Sequence, residues 1–424
     1  MIQLPPSKSI GARYLVATYF AGTLPAQPYF EDCNDLRILQ EALLEIYSDE
    51  EPIDYGDSPV DLGDSGTALR FVTAVCASSQ DADYVITGTP RLMERPMLPL
   101  INVLKAAGSE VTNLGADSAG PYRVKGCRIE GGEFEIKGDV SSQFISALML
   151  VAPAWKKGIK LNFSTPLVSR PYIEMTKRML EKFAIKVILT DRSVEVSSGR
   201  YLNTEHYAIE ADWSSASFFY EACALGGKKI ELGNLLSPSQ SLQGDAAADE
   251  IFGELGVKSI FSKSGAILKL NMCPVSSEKI EVDFNDFPDI MLPVAVACLF
   301  KGIKFRFNNI THLRFKESDR VRSLTTEARK FGFEIKEGEN FLEWNGEQVS
   351  PAKNRVIETY NDHRVAMSFA MAAITTGEIK ISHPEVVEKS FVDFWNQLQK
   401  LGLQCSQEGD VMTVVNPELI KNNT

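Results

Sequence analysis

The sequence predicts an α/β protein made of two globular domains, each containing three repeated units. Three observations support this prediction. A short polar segment followed by an apolar, alanine-rich helix recurs six times, and a helix that ends at a small residue before a strand recurs five times. With 424 residues, the chain also exceeds one ordinary hydrophobic core, so two domains of three units are the simplest division.

The first regularity begins at the segment PPSKSIGAR. Two prolines there discourage an earlier start, so a helix is expected to begin near Ser9. Similar segments follow after 57 residues and then at intervals of 73 to 76 residues. The anchor residues of the six copies are Ser9, Gly66, Ser142, Ser215, Asp289 and His363. Only the first unit is short, and Asp212 opens the second half of the chain.

The second regularity is a helix end, a small residue and a strand, as in LKAAGSEV. Glycine at the small position suits the left-handed conformation that commonly ends a helix. The five small residues are Gly108, Ala184, Gly256, Gly332 and Gly402. Between the helices, segments such as YVITG, IKLNFS and KFRFNN carry the β-branched and aromatic residues typical of strands.

The helices that end at these small residues are expected to begin with a cation. Counting back 12 to 14 residues reaches Arg95, Arg170, Gly244, Arg320 and Lys389, which are four cations in five repeats. One interpretation is that these side chains are simply solvated. Cations at helix N-termini oppose the helix dipole, however, so their recurrence favours an anion-binding role. If the repeats stack with like ends together, a cleft between the two halves is expected to bind a polyanion.

Charge and composition exclude several classes of protein. A net charge of −12 argues against nucleic acid and anionic membrane surfaces as partners, but it allows a small anionic substrate in a local basic pocket. The longest apolar run, Ile290–Phe300, is too short to span a bilayer, and no signal peptide is recognised, so we expect a cytoplasmic protein. Seven scattered cysteines predict free thiols, and four histidines without paired spacing predict no metal site.

Two motifs combine acids with bases at predicted helix starts. In RFKESDRVRSL, Lys316 and Arg320 lie four residues apart with Glu317 between them. A carboxylate held by cations stays ionised and can accept a proton, although a charged, solvated helix start is the alternative. In YNDHR, Asp362 and Arg364 form a second acid–base pair.

Taken together and in order, the motifs resemble those of one enzyme family. They are SKSIGAR, GTALR, TPRLMERP, SSQF, SRPYI, FPD, KESDR, YNDHR and KSF. The chain resembles the 5-enolpyruvylshikimate-3-phosphate (EPSP) synthases, the 3-phosphoshikimate 1-carboxyvinyltransferases, nearly from end to end. The resemblance implies transfer of the enolpyruvyl group of phosphoenolpyruvate to the 5-hydroxyl of shikimate 3-phosphate, through a tetrahedral addition–elimination intermediate that releases phosphate. It implies no cofactor and no metal.

The resemblance also implies an architecture and a biological setting. Each domain is expected to contain three βαβαββ-like units, with the active site in the interdomain cleft. Residues 7–211 are expected to bind shikimate 3-phosphate, and residues 1–6 with 212–424 are expected to close over phosphoenolpyruvate. We expect a monomer with these two small molecules as its partners, acting in the shikimate pathway of aromatic amino acid biosynthesis.

The family's site residues carry over by motif, as implications of the resemblance. Those expected to contact shikimate 3-phosphate are Ser9, Arg13, Ser141, Ser142, Gln143, Ser169, Tyr172, Asp289 and Lys316. Those expected to contact phosphoenolpyruvate are Lys8, Gly66, Arg95, Gln143, Arg320, Arg364 and Lys389. The expected catalytic residues are Lys8, Asp289 and Glu317. Asp289 or Glu317 is the base for the hydroxyl, and Lys8 with Glu317 exchanges protons at the methylene carbon.

Four further residues are assigned secondary roles in the site: Asp64, Arg70, His312 and Asp362. Two of them depart from the family pattern, because Asp64 and His312 stand where asparagine is common. A carboxylate at position 64 would repel an anion unless Arg70 or Arg95 pairs with it.

Two alternatives remain open. The sister enolpyruvyl transferases that act on UDP-N-acetylglucosamine have Lys-Asn where this chain has Lys8-Ser9, and they carry a reactive cysteine that Ile86–Pro96 lacks. The second alternative is a catalytically inactive anion-binding protein, which would not need Lys8, Asp289 and Glu317 together.

Overall fold

The computed structural model describes residues 1–26, 30–47, 59–116, 120–139, 141–202, 207–270 and 278–422. The chain divides into two compact units: the first unit is Lys8–Ile209, and the second is Met1–Ser7 with Glu210–Thr424. Within the described ranges, no helix is both long and apolar enough to cross a bilayer.

The first unit contains seven helices and eight strands among its described residues. The helices are α1 (Lys8–Ala21), α2 (Asn34–Tyr47), α3 (Gly66–Ser78), α4 (Pro90–Met93), α5 (Leu98–Ala106), α6 (Ser142–Val151) and α7 (Arg170–Lys182). The strands are β1 (Val60–Asp61), β2 (Asp83–Thr87), β3 (Glu110–Asn113), β4 (Tyr122–Lys125), β5 (Gly132–Ile136), β6 (Ile159–Phe163), β7 (Val187–Leu189) and β8 (Ser193–Val196). They form two sheets of order β1-β2-β4-β3 and β5-β6-β8-β7.

Both sheets are built by the same chain path. The first strand runs parallel to the second, as at Phe134 and Leu161, so the helix between them must cross over one face of the sheet. The fourth strand then pairs antiparallel with the second, and the third takes the far edge. The crossover helices are α3 and α6, which pack against each other and against α1. These three helices therefore lie together in the core of the unit, and Gln143 at the start of α6 contacts Thr67 at the start of α3.

The second unit repeats this path three times. Its helices are α8 (Trp213–Gly226), α9 (Ala248–Glu254), α10 (Met291–Lys301), α11 (Arg320–Lys330), α12 (His363–Met371), α13 (Ala373–Thr376), α14 (Phe394–Gln399) and α15 (Pro417–Asn422). Its strands are β9 (Ile230–Gly233), β10 (Val257–Ser262), β11 (Gly265–Leu270), β12 (Lys279–Asp283), β13 (Lys304–Asn308), β14 (Lys336–Glu337), β15 (Phe341–Trp344), β16 (Val356–Ile357), β17 (Glu378–Ser382), β18 (Gln404–Glu408) and β19 (Val411–Val415). The crossover helices α8, α10 and α12 are almost wholly buried and pack on one another.

The three sheets of the second unit have the orders β10-β11-β9, β12-β13-β15-β14 and β16-β17-β19-β18. In the described part of the chain, the first of them has three strands rather than four, and the N-terminal segment takes the place of the leading strand. Ile2 bridges Leu232 in parallel, with its amide donating to the Glu231 carbonyl at 2.7 Å and its carbonyl accepting from the Gly233 amide at 2.9 Å. This pairing is the reason that Met1–Ser7 belongs to the second unit.

The predicted helix ends are confirmed. All five small residues have a positive φ, from 63° at Ala184 to 111° at Gly108. Four of them are glycines, for which this conformation carries no steric cost, whereas Ala184 must tolerate it with a side chain.

The predicted helix starts are correct in part. Helix α1 begins at Lys8, one residue before the expected start, and Arg170 and Arg320 begin α7 and α11. The prediction is wrong for Arg95 and Lys389. Arg95 precedes a proline, which disfavours helix at that residue, and α5 begins only three residues later. Lys389 ends a short 3-10 helix rather than beginning α14.

The cysteines described by the structure are free, as predicted. Cys223 and Cys298 are fully buried on α8 and α10, where they pack as small apolar side chains. Cys273 lies outside the described residues.

Candidate active site

A cluster of charged side chains lies at the helix starts of the second unit, and Asp289 is at its centre. This aspartate belongs to a 3-10 turn, Pro288–Ile290, that leads into α10. Its carboxylate accepts from Arg320 Nη1 at 2.8 Å and from Arg364 Nη2 at 2.9 Å, and the Lys316 ammonium lies 3.7 Å away. Three cations therefore surround one carboxylate.

Arg320 connects three acids. Its Nε donates to Asp362 and its Nη2 to Glu317, each at 2.8 Å, in addition to the bond to Asp289. The side chain is 1% exposed. Each of its guanidinium nitrogens thus fixes one carboxylate, which a lysine could not do. Asp362 in turn caps α12 by accepting from the Arg364 amide at 3.0 Å, so the cluster also sets the start of that helix.

The charges of the cluster shift its acid–base equilibria. Burial opposes ionisation of Asp289, but Arg364, Lys316 and Arg320 together hold the pKa of this carboxyl well below its ordinary value. Burial lowers the pKa of Lys316, with Arg320 adding to the effect and Asp289 opposing it. Asp289 is consequently a stable anion and a weak base, while Lys316 gives up its proton more readily than an exposed lysine.

His312 lies in the 3-10 helix Thr311–Phe315 that precedes the KESDR motif. Burial, helped by the nearby Lys316 charge, lowers the pKa of His312 to about 4. Its ring is therefore neutral at pH 7, with one donor and one acceptor nitrogen. A neutral imidazole shares both hydrogen-bonding functions with the asparagine that the family resemblance leads one to expect at this position.

Two further aspartates stand at the start of α8. Asp212 caps the helix by accepting from the Ser215 amide at 2.6 Å, and the Ser214 hydroxyl donates to Asp245. Burial raises the pKa of Asp245 to about 7, with the Asp289 charge adding to the effect and Arg364 opposing it. Asp245 was not predicted from the sequence. The signal in the sequence was its position beside Gly244, which is the one residue in the series of five predicted helix starts that is not a cation.

In the first unit, Arg13 binds three helices together. Its guanidinium donates to Thr176 Oγ1 at 2.7 Å, the Ser9 carbonyl at 2.7 Å, Ser146 Oγ at 3.0 Å and the Tyr172 carbonyl at 3.1 Å. These acceptors carry no net charge, and burial lowers the pKa of Arg13 to about 10. The structure thus brings α1 together with the start of α7, through Ser9 and Tyr172.

The starts of α6 and α7 present the remaining predicted residues of the first unit. Ser141 caps α6 by accepting from the Gln143 amide at 3.2 Å, and Gln143 Nε2 donates to Thr67 Oγ1 on α3 at 3.3 Å. Ser142 is the first residue of α6. Ser169 precedes α7 with a φ of 54° and is buried. Hydroxyl groups therefore gather at two neighbouring helix N-termini, which favour anions.

A second basic group lies at the start of α3. A Cβ built on Gly66 would lie 2.1 Å from Arg95 Nη1 and 2.9 Å from Arg70 Nη1, so only glycine leaves room for both guanidinium groups. Arg70 donates to the Gly66 carbonyl at 2.8 Å and to the Pro96 carbonyl at 3.0 Å. Within the described part of the chain, Arg95 Nε is buried without a hydrogen-bond partner. Positive charge and free amide groups thus coincide at this helix end.

The other predicted residues take separate positions. The Lys8 ammonium forms an ion pair with Asp35 at 3.0 Å in the first unit. The Asp64 carboxylate, which was expected to need an arginine, accepts from the Thr89 hydroxyl at 3.3 Å at the surface. Lys389 ends the 3-10 helix Pro384–Lys389, which packs against α12.

The buried cations coincide with the predicted site. Among the described residues, every lysine or arginine that is less than a tenth exposed is an arginine of the predicted site: Arg13, Arg70, Arg95, Arg320 and Arg364. No group of three or more histidine, cysteine, aspartate or glutamate side chains in the described ranges is arranged to hold a metal ion. The arrangement suits the binding of anions and the exchange of protons beside them.

Comparison with known proteins identifies the family. Residues 2–398 match the family model of EPSP synthase (3-phosphoshikimate 1-carboxyvinyltransferase). A 3-phosphoshikimate 1-carboxyvinyltransferase of Bacteroides fragilis strain YCH46 is 37% identical over 404 residues, covering 95% of each chain. One from Hamiltonella defensa is 32% identical over 421 residues, covering 94% of this chain and 95% of its relative.

The fold agrees with this result. A solved EPSP synthase of Acinetobacter baumannii has a TM-score of 0.68 over 94% of this chain and 96% of that chain, at 21% identity. The protein is an α/β transferase of the enolpyruvyl transferase type. It belongs to the EPSP synthase family, and the predictions of fold class, enzyme class and family are confirmed.

Proposed function

We propose that the chain transfers the enolpyruvyl group of phosphoenolpyruvate to the 5-hydroxyl of shikimate 3-phosphate and releases phosphate. The observation that carries the proposal is the concentration of buried arginines at helix starts in a chain of net charge −12. Both substrates are anions, and several fixed cations are needed to hold them together against their repulsion. Membership of the EPSP synthase family supports this choice of substrates.

We assign shikimate 3-phosphate to the first unit, Lys8–Ile209. The hydroxyls of Ser141, Ser142 and Ser169, with the free amides of α6 and α7, suit a phosphate group. Arg13 uses most of its donors within the protein, so we expect it to place Ser9 and Tyr172 and to supply a positive field. Gln143 joins this group because it connects α6 to α3.

The residues that we assign to phosphoenolpyruvate, as the family resemblance implies, are Lys8, Gly66, Arg95, Arg320, Arg364 and Lys389. Arg95 has donor capacity at Nε that none of the described residues uses, and the glycine at position 66 lets its guanidinium reach the start of α3. Both features are expected at a bound carboxylate or phosphate.

The proton transfers follow from the chemistry of the two substrates. The 5-hydroxyl loses a proton as its oxygen attacks C2, and the methylene carbon gains one to form a tetrahedral adduct. That adduct then loses phosphate and a methyl proton, which restores the double bond. Because Asp289 is held as an anion, we expect its carboxylate to orient the hydroxyl by accepting its hydrogen bond. Asp289 or Glu317 then takes the proton that the hydroxyl loses. Glu317 and Lys8 are then the residues that exchange protons at the methylene carbon.

A phosphate-release assay tests the proposal. We expect phosphate to be released when phosphoenolpyruvate is supplied with shikimate 3-phosphate, and not when it is supplied with UDP-N-acetylglucosamine. Binding of both substrates by calorimetry without release would instead identify a catalytically inactive anion-binding protein. Release with the nucleotide sugar would identify the sister transferase.

We also infer that the protein works as a monomer in the cytoplasm. The inference rests on the net charge of −12, which disfavours nucleic acid and anionic membranes as partners, and on the similarity to 3-phosphoshikimate 1-carboxyvinyltransferases. Light scattering of the purified protein at micromolar concentration is expected to give a mass near that of one 46.9 kDa chain.

A further inference from the structure

We propose that Glu327 and Tyr360 are positioning residues for the reaction. The hydrogen bond between the Tyr360 hydroxyl and the Glu327 carboxylate, which we call the clasp, holds the turn Thr359–Asp362. Helix α12 follows this turn and places Arg364 in the charged cluster. The proposal rests on the proposed function, because it concerns the residues assigned to phosphoenolpyruvate. Neither residue belongs to the site predicted from the sequence.

The turn has an unusual conformation for its residues. The Asp362 amide donates to the Thr359 carbonyl at 2.8 Å, which closes a four-residue turn. Its two central residues, Tyr360 and Asn361, have φ values of 53° and 55°. Turns with two left-handed residues favour glycine, asparagine and aspartate, so Asn361 is suited to its place. Tyrosine is strained in this left-handed conformation. Such strain persists only where surrounding contacts hold the residue in place.

Glu327 supplies the contacts that enforce it. Its carboxylate is completely buried on α11 and accepts from the Tyr360 hydroxyl at 2.8 Å. It also accepts from the Glu358 amide at 3.0 Å and from the Lys330 ammonium at 2.6 Å. Lys330 reaches on to the Val356 carbonyl at 2.8 Å. The buried charge is therefore paired, and the strand before the turn is fixed as well as the turn itself.

Helix α11 connects this clasp to the charged cluster. Arg320 is its first residue, and Glu327 follows seven residues later, on the same side of the helix after two turns. Helix α11 thus contacts the turn at two points. The first residue of the helix, Arg320, is hydrogen-bonded to Asp362, and Glu327 two turns later is hydrogen-bonded to Tyr360. If the hydrogen bond between Glu327 and Tyr360 is lost, Asp362 is free to move and the direction of the Arg364 side chain is no longer fixed.

Tyr360→Phe tests the clasp with little risk to folding, since this side chain is 37% exposed and only its hydroxyl is removed. A hydrogen bond to a charged acceptor is worth about a factor of 10. We therefore expect the KM for phosphoenolpyruvate to rise about 10-fold, while the KM for shikimate 3-phosphate stays unchanged. A loss of folded protein would lower the amount of active enzyme but would not alter either KM. Glu327→Gln, the second variant, is expected to show the same selective change.

Tyr220→Phe is the matched control. It removes a phenol hydroxyl of the same unit, which contacts Ser259 at 2.9 Å and Asp249 at 3.2 Å away from the described cluster. We expect both KM values of this control to equal those of the unaltered protein.

Two results would overturn the clasp while leaving the proposed function intact. One is an unaltered KM for phosphoenolpyruvate in both variants; the other is an equal rise in both KM values. If the unaltered protein releases no phosphate from the two substrates, the proposed function is wrong and the clasp falls with it.

Discussion

Arg320 holds three carboxylates with three nitrogens, and this geometry makes a definite prediction for Arg320→Lys. The charge is retained, but an ammonium group cannot reach Asp289, Glu317 and Asp362 together. At least two hydrogen bonds between charged groups are lost, at about 1.5–3 kcal/mol each. We expect turnover in the phosphate-release assay to fall by about 100-fold or more.

The control for this substitution lies on the same helix. Arg329→Lys alters an exposed ion pair with Glu334, at 2.7 Å, and should leave turnover unchanged. Equal activity of the two variants would mean that the three-carboxylate arrangement does not matter for the reaction.

Lys8 allows a structural role to be separated from a chemical one. Its ammonium pairs with the buried Asp35 at 3.0 Å, so Lys8→Met leaves a buried carboxylate without this partner and also removes a proton donor. We expect turnover to be almost abolished. The double variant Lys8→Met/Asp35→Asn should recover stability in urea denaturation but not turnover. Recovered turnover in the double variant would show that Lys8 serves only to pair with Asp35.

Asp245 predicts a pH dependence of stability. In the unfolded chain its carboxyl ionises near 3.8, whereas in the folded protein burial keeps the proton until about pH 7. The folded state thus binds more protons between these values, and the stability contributed by this residue falls as the pH rises from about 4 to 7. Asp245→Asn removes this loss. As the pH rises from about 4 to 7, we expect the free energy of unfolding of Asp245→Asn to increase by about 1–4 kcal/mol relative to that of the unaltered protein.

Urea denaturation at a series of pH values measures the difference. Asp410→Asn, at an exposed turn, is the control and should track the unaltered protein. A difference between Asp245→Asn and the unaltered protein that stays constant with pH would contradict the raised pKa of Asp245.

Among the elements, the ends of helices show where local rules suffice. The left-handed residues that end α5, α7 and α11 follow from a short stretch of sequence, because a glycine or small residue after an apolar helix is decided locally. The starts of α3, α6, α8 and α12 follow in the same way from their polar caps. Positions 95 and 389 were misplaced because a proline and a 3-10 segment displaced the expected helices.

The contacts within the site could not be predicted in this way. Arg320 and Asp362 are 42 residues apart in the sequence, and Arg13 and Thr176 are 163 apart. Periodicity identified Arg320 as a helix-start cation, and the family resemblance assigned both arginines to the site, but neither specified which acceptors each arginine would contact. Glu327 was missed for the same reason, since its role depends on a turn that only the folded chain brings near.

The end of α7 yields a prediction about stability. Ala184 adopts a φ of 63° where the four equivalent repeats have glycine. Ala184→Gly should relieve this strain and stabilise the protein by about 1 kcal/mol. Ala107→Gly is the matched control, because Ala107 ends α5 with an ordinary φ of −80° and should lose about 0.5–1 kcal/mol. Thermal denaturation compares the two, and destabilisation by Ala184→Gly would contradict the argument.

At the scale of the whole molecule, the two units compensate their buried charge differently. The acceptors of Arg13 in the first unit are carbonyls and hydroxyls. Arg320 and Arg364 in the second unit are held by carboxylates. A bound anion therefore has more positive charge to neutralise beside Arg13, which agrees with the assignment of shikimate 3-phosphate to the first unit.

The pairing of Ile2 with Leu232 has a consequence for biosynthesis. A ribosome makes Met1–Ser7 before the whole of the first unit, yet the partners of this segment emerge only after that unit is complete. The segment cannot pair with its partner strand until about 200 further residues have been translated. The second unit can complete its first sheet only with residues that precede the first unit, so its assembly is necessarily the later event.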